Sequence, residues 1–100
     1  MNYYIKTKSK KEILDEKTGQ MISIFIIKKI IEDNQNFCVL EKIYSNINNY
    51  SKKNNFFFYK NDKKRNLNTY IKKKHKSIYK FIEKNNKFFI LENNFVKIKN

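Results

Sequence analysis

The chain contains no proline and only one glycine, Gly19, among its 100 residues. Loops that cradle phosphates or dinucleotides need glycine, because glycine lets the backbone approach the ligand closely. A P-loop and a dinucleotide-binding fingerprint are therefore excluded. Asparagine tolerates left-handed backbone angles, so in this chain it must make the turns that glycine and proline usually make.

Cysteine and histidine occur once each. A single cysteine, Cys38, excludes an internal disulfide and a CxxC metal site. Cys38 lies between Phe37 and Val39, an apolar setting that predicts a small buried hydrophobe and not a reactive thiol. With His75 as the only histidine, a transition-metal site would have to be built mainly from carboxylates. The sequence therefore predicts no metal and no cofactor.

Acidic residues are scarce as well, with nine Asp and Glu against 23 Lys and Arg. They are scattered along the chain, and no converging set that could act as general acid and base is evident. A basic ribonuclease that uses His75 is the remaining catalytic alternative, but this histidine has no evident partner. We expect a protein that is not an enzyme and that takes no small-molecule substrate.

The net charge of +14 is the main functional signal, because a domain this basic usually meets nucleic acid or another polyanion. Lysine outnumbers arginine 22 to one, and Lys, Asn, Ile, Phe and Tyr, whose codons are rich in A and T, dominate the chain. Codon bias does not explain the scarcity of acids, since Asp and Glu codons are also rich in A. The alternative to a polyanion partner is a surface that is only solvated.

The apolar stretch at residues 21–31 is interrupted by Lys28 and Lys29. It is much shorter than the roughly 20 residues of a membrane-spanning helix. The basic N-terminus has no apolar signal core behind it. We expect no membrane association and an intracellular location, in the cytoplasm or an organelle matrix.

Nine Phe, seven Tyr and fifteen Ile predict a folded core. We expect a basic N-terminal arm at residues 1–19 and a single domain at residues 20–100. The arm would contain a short helix at 9–17, capped by Ser9 with Glu12 as its capping-box partner and ended by Gly19.

Periodicity does not distinguish helix from strand at residues 20–32, but their length favours a helix. Residues 37–47 place apolar side chains on one helical face, with Asn36 as cap, and predict a helix. A loop at 48–55 and a strand at 56–59 would follow.

Residues 67–85 also have an apolar helical face, but Lys74 and His75 fall inside it. Because a charge on that face is costly, we expect the chain to bend at these two residues into two helices. In the alternative, a single helix, both side chains would extend to water.

A β-hairpin is predicted at residues 87–99, with Asn93 and Asn94 as a two-residue turn. Leu91 would face Val96, and Phe89 would face Ile98, with all four on one face. We expect the other face, with Phe88, Ile90, Phe95, Lys97 and Lys99, to pack against residues 21–31. The alternative is that Phe88 and Phe95 stack on unpaired bases.

This order of helix, strand, helix, bend, helix and hairpin, over residues 36–99, resembles the winged-helix family of nucleic-acid-binding domains. The resemblance implies an α+β fold that is mostly helical and has a C-terminal β-hairpin. It makes residues 67–73 the second helix, 76–85 the recognition helix and 87–99 the wing, which the strand at 56–59 would join. The chain departs from the family in lacking the glycine that is often found at the bend.

Lysines one turn apart on the recognition helix would follow a phosphate backbone, and Arg65 would contact a phosphate through two hydrogen bonds. The Arg, Asn and Gln side chains that read base edges are missing from the face of that helix, with Asn85 and Asn86 only at its C-terminal end, which predicts little sequence specificity. The predicted nucleic-acid-binding residues are Arg65, Lys72, Lys73, Lys76, Lys80, Lys84, Lys97 and Lys99.

We therefore expect a small non-catalytic RNA-binding subunit of a ribonucleoprotein particle, such as a ribosome or an organellar ribosome, with neighbouring proteins as further partners. One alternative is a DNA-binding winged-helix regulator of a plasmid, phage or virus. Another is a protein–protein adaptor that uses residues 21–31 as its partner-facing surface.

Overall fold

The computed structural model describes residues 3–6 and 10–99, and within them it contains four helices and seven short strands. In chain order these are β1 (Tyr4–Lys6), β2 (Lys11–Ile13), α1 (Glu16–Asp33), β3 (Phe37–Val39), α2 (Leu40–Lys53), β4 (Phe58–Lys60), β5 (Lys63–Arg65), α3 (Leu67–His75), α4 (Ile78–Lys84), β6 (Phe89–Glu92) and β7 (Phe95–Ile98). The strands form two small antiparallel sheets, so the predicted α+β class with a C-terminal hairpin is confirmed.

The helix predicted at residues 20–32 is confirmed as α1, which begins where the Asp15 carboxylate accepts a hydrogen bond from the backbone N–H of Thr18. Most of its isoleucines are completely buried, because α1 packs against α2, β3 and β7. Only Met21 and Phe25 of its large apolar side chains are exposed. Residues 21–31 are therefore core, and the partner-facing surface expected in the adaptor alternative is wrong.

The separate helix expected at residues 9–17 is wrong: residues 11–13 form a strand, and only Glu16 and Lys17 are helical, as the start of α1; Ser9 itself lies outside the described residues. Glu12 belongs to strand β2, which pairs with β1. The segment has no apolar face to bury as a helix, whereas the hairpin is fixed by two buried residues at its ends. There the N–H of Leu14 donates to the carbonyl of Tyr3 at 3.0 Å.

Gly19 lies inside the first turn of α1 and does not end a helix. The Tyr70 ring packs against it so closely that an added Cβ atom would lie 1.8 Å from the tyrosine oxygen. This glycine is needed for a close approach between α1 and α3, which is a different role from the predicted C-cap.

The strand predicted at 56–59 is present as β4, shifted by two residues. It pairs with β1 and β5 in a sheet of order β2-β1-β4-β5 and does not join the C-terminal hairpin as expected. Phe58 points into the core, where its ring stacks on that of Tyr70 at 4.8 Å. The basic N-terminal segment takes the position beside β4 that the prediction gave to the hairpin.

Helix α2 begins three residues later than predicted, because Phe37–Val39 forms strand β3 beside β7. Asn36 does not cap the helix: it has a φ of 66°, and Val39 is the N-cap. The loop predicted at 48–55 is also wrong, since α2 continues to Lys53. Burial of Ile47 and Ser51 extends the apolar face through this asparagine-rich segment.

The bend predicted at Lys74 and His75 is confirmed: α3 ends at His75 and α4 begins at Ile78. Lys76 closes α3 with a φ of 74°, and its N–H donates to the carbonyl of Lys72 at 2.9 Å. The Ser77 hydroxyl then caps α4 by accepting from the N–H of Lys80 at 3.0 Å.

The predicted hairpin register is confirmed, with Leu91 opposite Val96 and Phe89 opposite Ile98. Phe89 and Val96 are buried as expected. The expected packing of the other face against residues 21–31 is wrong for Phe95, which is 39% exposed and stacks on Phe37 at 4.6 Å. Phe37 belongs to strand β3, which pairs with β7 in the same sheet. Helix α1 contacts the opposite, buried face of that sheet.

Candidate nucleic-acid interface

Three of the predicted lysines, Lys76, Lys80 and Lys84, line one open cleft of about 400 Å³ at the turn between α3 and α4. Lys74 and His75 line it too, together with Glu83. We call this feature the α3–α4 cleft. The turn itself brings these residues together, because the left-handed backbone of Lys76 turns the chain between the two helices.

The α3–α4 cleft is strongly positive. Four lysines and one glutamate line it, which gives a net charge of +3 when His75 is neutral. Lys80 lies 3.7 Å from Glu83, but both side chains are more than half exposed, so this ion pair is weak. Neither Lys76 nor Lys84 has an ion-pair partner within the described part of the chain.

His75 forms the partly buried wall of this cleft, with its ring edge-to-face with Phe81 at 4.9 Å. Burial lowers the pKa of His75, the charges of Lys84 and Lys74 lower it further, and Glu16 opposes them. The neutral imidazole is therefore favoured while the cleft is empty of anions. A bound phosphate would shift this pKa in the opposite direction, because it favours the charged ring.

Lys72 and Lys73 are exposed on the last turn of α3 and do not line the α3–α4 cleft. Positive side chains at the C-terminal end of a helix interact favourably with its dipole. The interaction with the helix dipole therefore gives Lys72 and Lys73 a structural role that does not require nucleic acid.

Arg65 lies elsewhere, in a cleft of about 370 Å³ between α2, the β4–β5 hairpin and the start of α3. We call this the Arg65 cleft. Two cations that the sequence reasoning did not select, Lys52 and Lys64, line it with Arg65. The run of three basic residues from Lys63 to Arg65 was the available sequence signal. The full lining is Asn48, Asn49, Ser51, Lys52, Phe56, Phe57, Lys64, Arg65 and Asn66.

Lys97 and Lys99 belong to a fourth region, at the C-terminal end of the chain. The Lys97 ammonium lies 5.4 Å from the centre of the Phe37 ring, and the backbone N–H of Lys99 donates to the carbonyl of Phe88. Neither lines one of the two clefts. The eight predicted residues are thus distributed over four places and do not form a single ridge.

Cys38 is buried as expected, and burial raises the pKa of its thiol. Over residues 3–6 and 10–99, no three or more His, Cys, Asp or Glu side chains come together in a group that could hold a metal ion. None of the helices in that same part of the chain has both the length and the apolar content to cross a membrane.

Comparison with protein-family models, with curated proteins and with solved structures finds no match to this chain. The two clefts and the charge around them are therefore the features of this protein that bear on its function.

Proposed function

We propose that the protein is a small, basic, non-catalytic RNA-binding subunit of a ribonucleoprotein particle, of which an intracellular ribosome, cytoplasmic or organellar, is the leading case. In this proposal α3 and α4 act as the helix pair of a winged-helix-like domain and β6–β7 as its wing, with neighbouring proteins of the particle as further partners. The observation that carries it is the convergence of Lys74, Lys76, Lys80 and Lys84 on one cleft.

The chemistry of the α3–α4 cleft favours phosphate over bases. An ammonium group is a point charge that neutralises a phosphate and releases its counterions, and this supplies affinity without reading sequence. The exposed positions of α4 are Tyr79, Lys80, Glu83 and Lys84, which include none of the Arg, Asn or Gln side chains that bind guanine or adenine edges through paired hydrogen bonds. These features support recognition of backbone and shape, the mode typical of RNA helices.

The test is RNA binding by a variant with Lys76, Lys80 and Lys84 all changed to Gln. A matched control changes Lys42, Lys53 and Lys63 to Gln. These three lysines are also exposed and line neither cleft, and their replacement removes the same charge. The probe is an RNA hairpin, titrated over a series of salt concentrations. We expect the slope of log affinity against log salt to fall in magnitude by about 2 to 3 in the cleft variant and much less in the control.

Three results would overturn the proposal. Absence of RNA binding at low salt would remove the function itself, and equal losses in the two variants would remove the α3–α4 cleft as its site. Tighter binding to a DNA duplex of the same sequence, with a stable dimer in solution, would establish the DNA-binding regulator instead.

A further inference from the structure

The Arg65 cleft presents hydrogen-bond donors and few free acceptors. The side-chain oxygen of Asn48 accepts from the backbone N–H of Asn68 at 3.2 Å, and that of Asn66 accepts from the N–H of Thr69 at 2.9 Å. The first turn of α3 thus occupies both oxygens, while the amide nitrogens keep their donor capacity. A site lined in this way suits a ligand rich in acceptor oxygens.

The charged side chains of the Arg65 cleft favour the same kind of ligand as its hydrogen-bond donors, one with negatively charged oxygens. Lys52, Lys64 and Arg65 line it, and no Asp or Glu does. Arg65 is half-buried and forms no ion pair within the described residues, where the pairs are Lys11 with Asp62 and Lys80 with Glu83. A half-buried guanidinium without a carboxylate partner keeps its full capacity for two parallel hydrogen bonds to a phosphate.

Two phenyl rings form the apolar part of the cleft, Phe56 and Phe57. Ser51 holds their backbone, because its hydroxyl donates to the carbonyl of Phe56 and its carbonyl accepts from the N–H of Phe56 at 2.9 Å. The Lys64 ammonium lies over one face of the Phe57 ring, 3.7 Å from its centre, so a cation and an aromatic ring are in direct contact in this cleft. A nucleotide combines the two matching groups, an anionic phosphate and a flat base.

We propose that the Arg65 cleft binds one unpaired nucleotide of an RNA, with its phosphate against Lys52, Lys64 and Arg65 and its base against the two phenyl rings. The proposal rests on the RNA-binding function proposed above and adds a second, different contact to it. The cleft volume of about 370 Å³ is within the range of sites that enclose small ligands.

The two clefts lie at opposite ends of α3, since Asn66 caps its start and His75 ends it. A helix of nine residues is about 13 Å long. At about 3.4 Å per phosphate along one strand, this length corresponds to roughly four nucleotides. An RNA that fills both clefts therefore needs a paired stem with unpaired nucleotides a few positions away.

The test compares two RNA probes, a blunt duplex and the same duplex with single-stranded overhangs of about five nucleotides, long enough to span the two clefts. We expect the overhangs to strengthen binding to the unchanged protein. Phe57→Leu should abolish most of that gain, roughly tenfold or more for loss of base stacking, and leave binding to the blunt duplex nearly unchanged. Arg65→Gln should also abolish most of the gain, through loss of the phosphate contact, and should weaken binding to the blunt duplex only by the loss of one charge. Phe95→Leu, which removes an exposed ring outside the cleft, is the control.

The proposal is overturned if overhangs add no affinity, or if Phe95→Leu removes the gain as strongly as Phe57→Leu. It is also overturned if adenosine monophosphate binds the Arg65 cleft more tightly than the overhang strand does, since the ligand would then be a free nucleotide. Binding of the overhang strand without any binding of the blunt duplex would overturn the proposed backbone recognition and leave the nucleotide cleft standing. Circular dichroism of each variant confirms folding, and Arg65→Gln carries the test if Phe57→Leu fails to fold.

Discussion

Side-chain packing restricts position 19 to glycine, because an added Cβ atom would collide with Tyr70. The ring of Tyr70 lies against it and is itself fixed by Phe58, stacked at 4.8 Å, and by the edge of Tyr3 at 5.0 Å. Gly19→Ala would gain about 1 kcal/mol in helix propensity. The clash at 1.8 Å should outweigh this gain and lower the free energy of unfolding by about 1–2 kcal/mol overall, as measured by urea denaturation.

Tyr70→Phe provides the control for the Gly19 prediction. It removes the oxygen that the new methyl group would meet, and that hydroxyl has no hydrogen bond within the described residues. We expect Tyr70→Phe alone to be nearly neutral, and Gly19→Ala to be less harmful in its presence, because the nearest ring atom is then 2.7 Å away. Equal losses in both backgrounds would show that the Tyr70 contact is not the cause.

His75 should make stability and RNA affinity respond to pH in opposite directions. Its pKa is lowered in the folded protein, mainly by burial, so its contribution to stability is complete above the unfolded pKa of about 6.5. That contribution is lost as the pH falls through the lowered pKa. RNA phosphates in the α3–α4 cleft would favour the charged ring, so affinity should rise over the same range.

The measurement for His75 is urea denaturation and RNA titration at about pH 7.5 and about pH 5.5, on either side of the ordinary histidine pKa. Changing His75 to Gln should flatten both responses between these two conditions. An RNA affinity that is independent of pH in the unchanged protein, or one that rises equally in the His75→Gln variant, would contradict the placement of phosphate beside this ring.

At the scale of elements, the turn between α3 and α4 combines backbone strain with a functional charge. Lys76 has φ 74° and ψ −38°, a conformation that costs a side-chain-bearing residue about 1–3 kcal/mol. Lys76→Gly should relieve that strain and leave stability unchanged or raised by up to about 1 kcal/mol, despite the greater freedom of glycine in the unfolded chain. RNA affinity should fall because the ammonium is lost.

Lys76→Ala separates these two effects. It removes the same charge and keeps a Cβ atom, so it should lose the same RNA affinity as Lys76→Gly without any gain in thermal stability. Thermal unfolding and RNA titration of both variants provide the measurement. If the alanine variant were as stable as the glycine variant, the backbone at Lys76 would not be strained.

Some elements made by neighbouring residues were predictable from the sequence, whereas most of the strands that depend on distant pairings were not. The register of β6 and β7 follows from alternation around the Asn93–Asn94 turn, and the bend follows from two polar side chains, Lys74 and His75, on an apolar face. Strand β3 and the β1–β2 hairpin exist because of partners far away in the chain, such as Val96 for Cys38 and Tyr59 for Tyr4. Three-residue strands of this kind have no periodic signal of their own.

At the scale of the whole molecule, prediction of the candidate site from the sequence is limited in the same way, because the site depends on packing between distant elements. Lys76, Lys80 and Lys84 were selected for their spacing and all line the α3–α4 cleft, although Lys76 precedes α4 and is not part of it. The grouping of Lys52 with Arg65 depends on how α2 packs beside the β4–β5 hairpin and α3, which no local pattern specifies. The sequence therefore pointed to three of the four lysines of the α3–α4 cleft, missing Lys74, and to one of the three cations of the Arg65 cleft.

The charge of the whole molecule leads to a prediction about salt. A net charge of +14 is carried on a chain whose described residues fit within 40 × 23 × 22 Å and contain two ion pairs, both exposed. Cations this close repel one another within the screening length of about 10 Å at 0.1 M salt. Raising sodium chloride from about 20 mM to about 300 mM should therefore raise the unfolding temperature of the free protein, by roughly 4–8 °C for each 1 kcal/mol of repulsion relieved. The triple Gln variant of Lys76, Lys80 and Lys84, with three fewer charges, should gain less.

In the RNA complex the effect of salt on the unfolding temperature should reverse, because the same salt weakens the binding of the RNA phosphates. Scanning fluorimetry with and without the RNA hairpin would measure both effects. A free protein that loses stability as salt is added would contradict this prediction, because attractive ion pairs would then outweigh the repulsion among its cations.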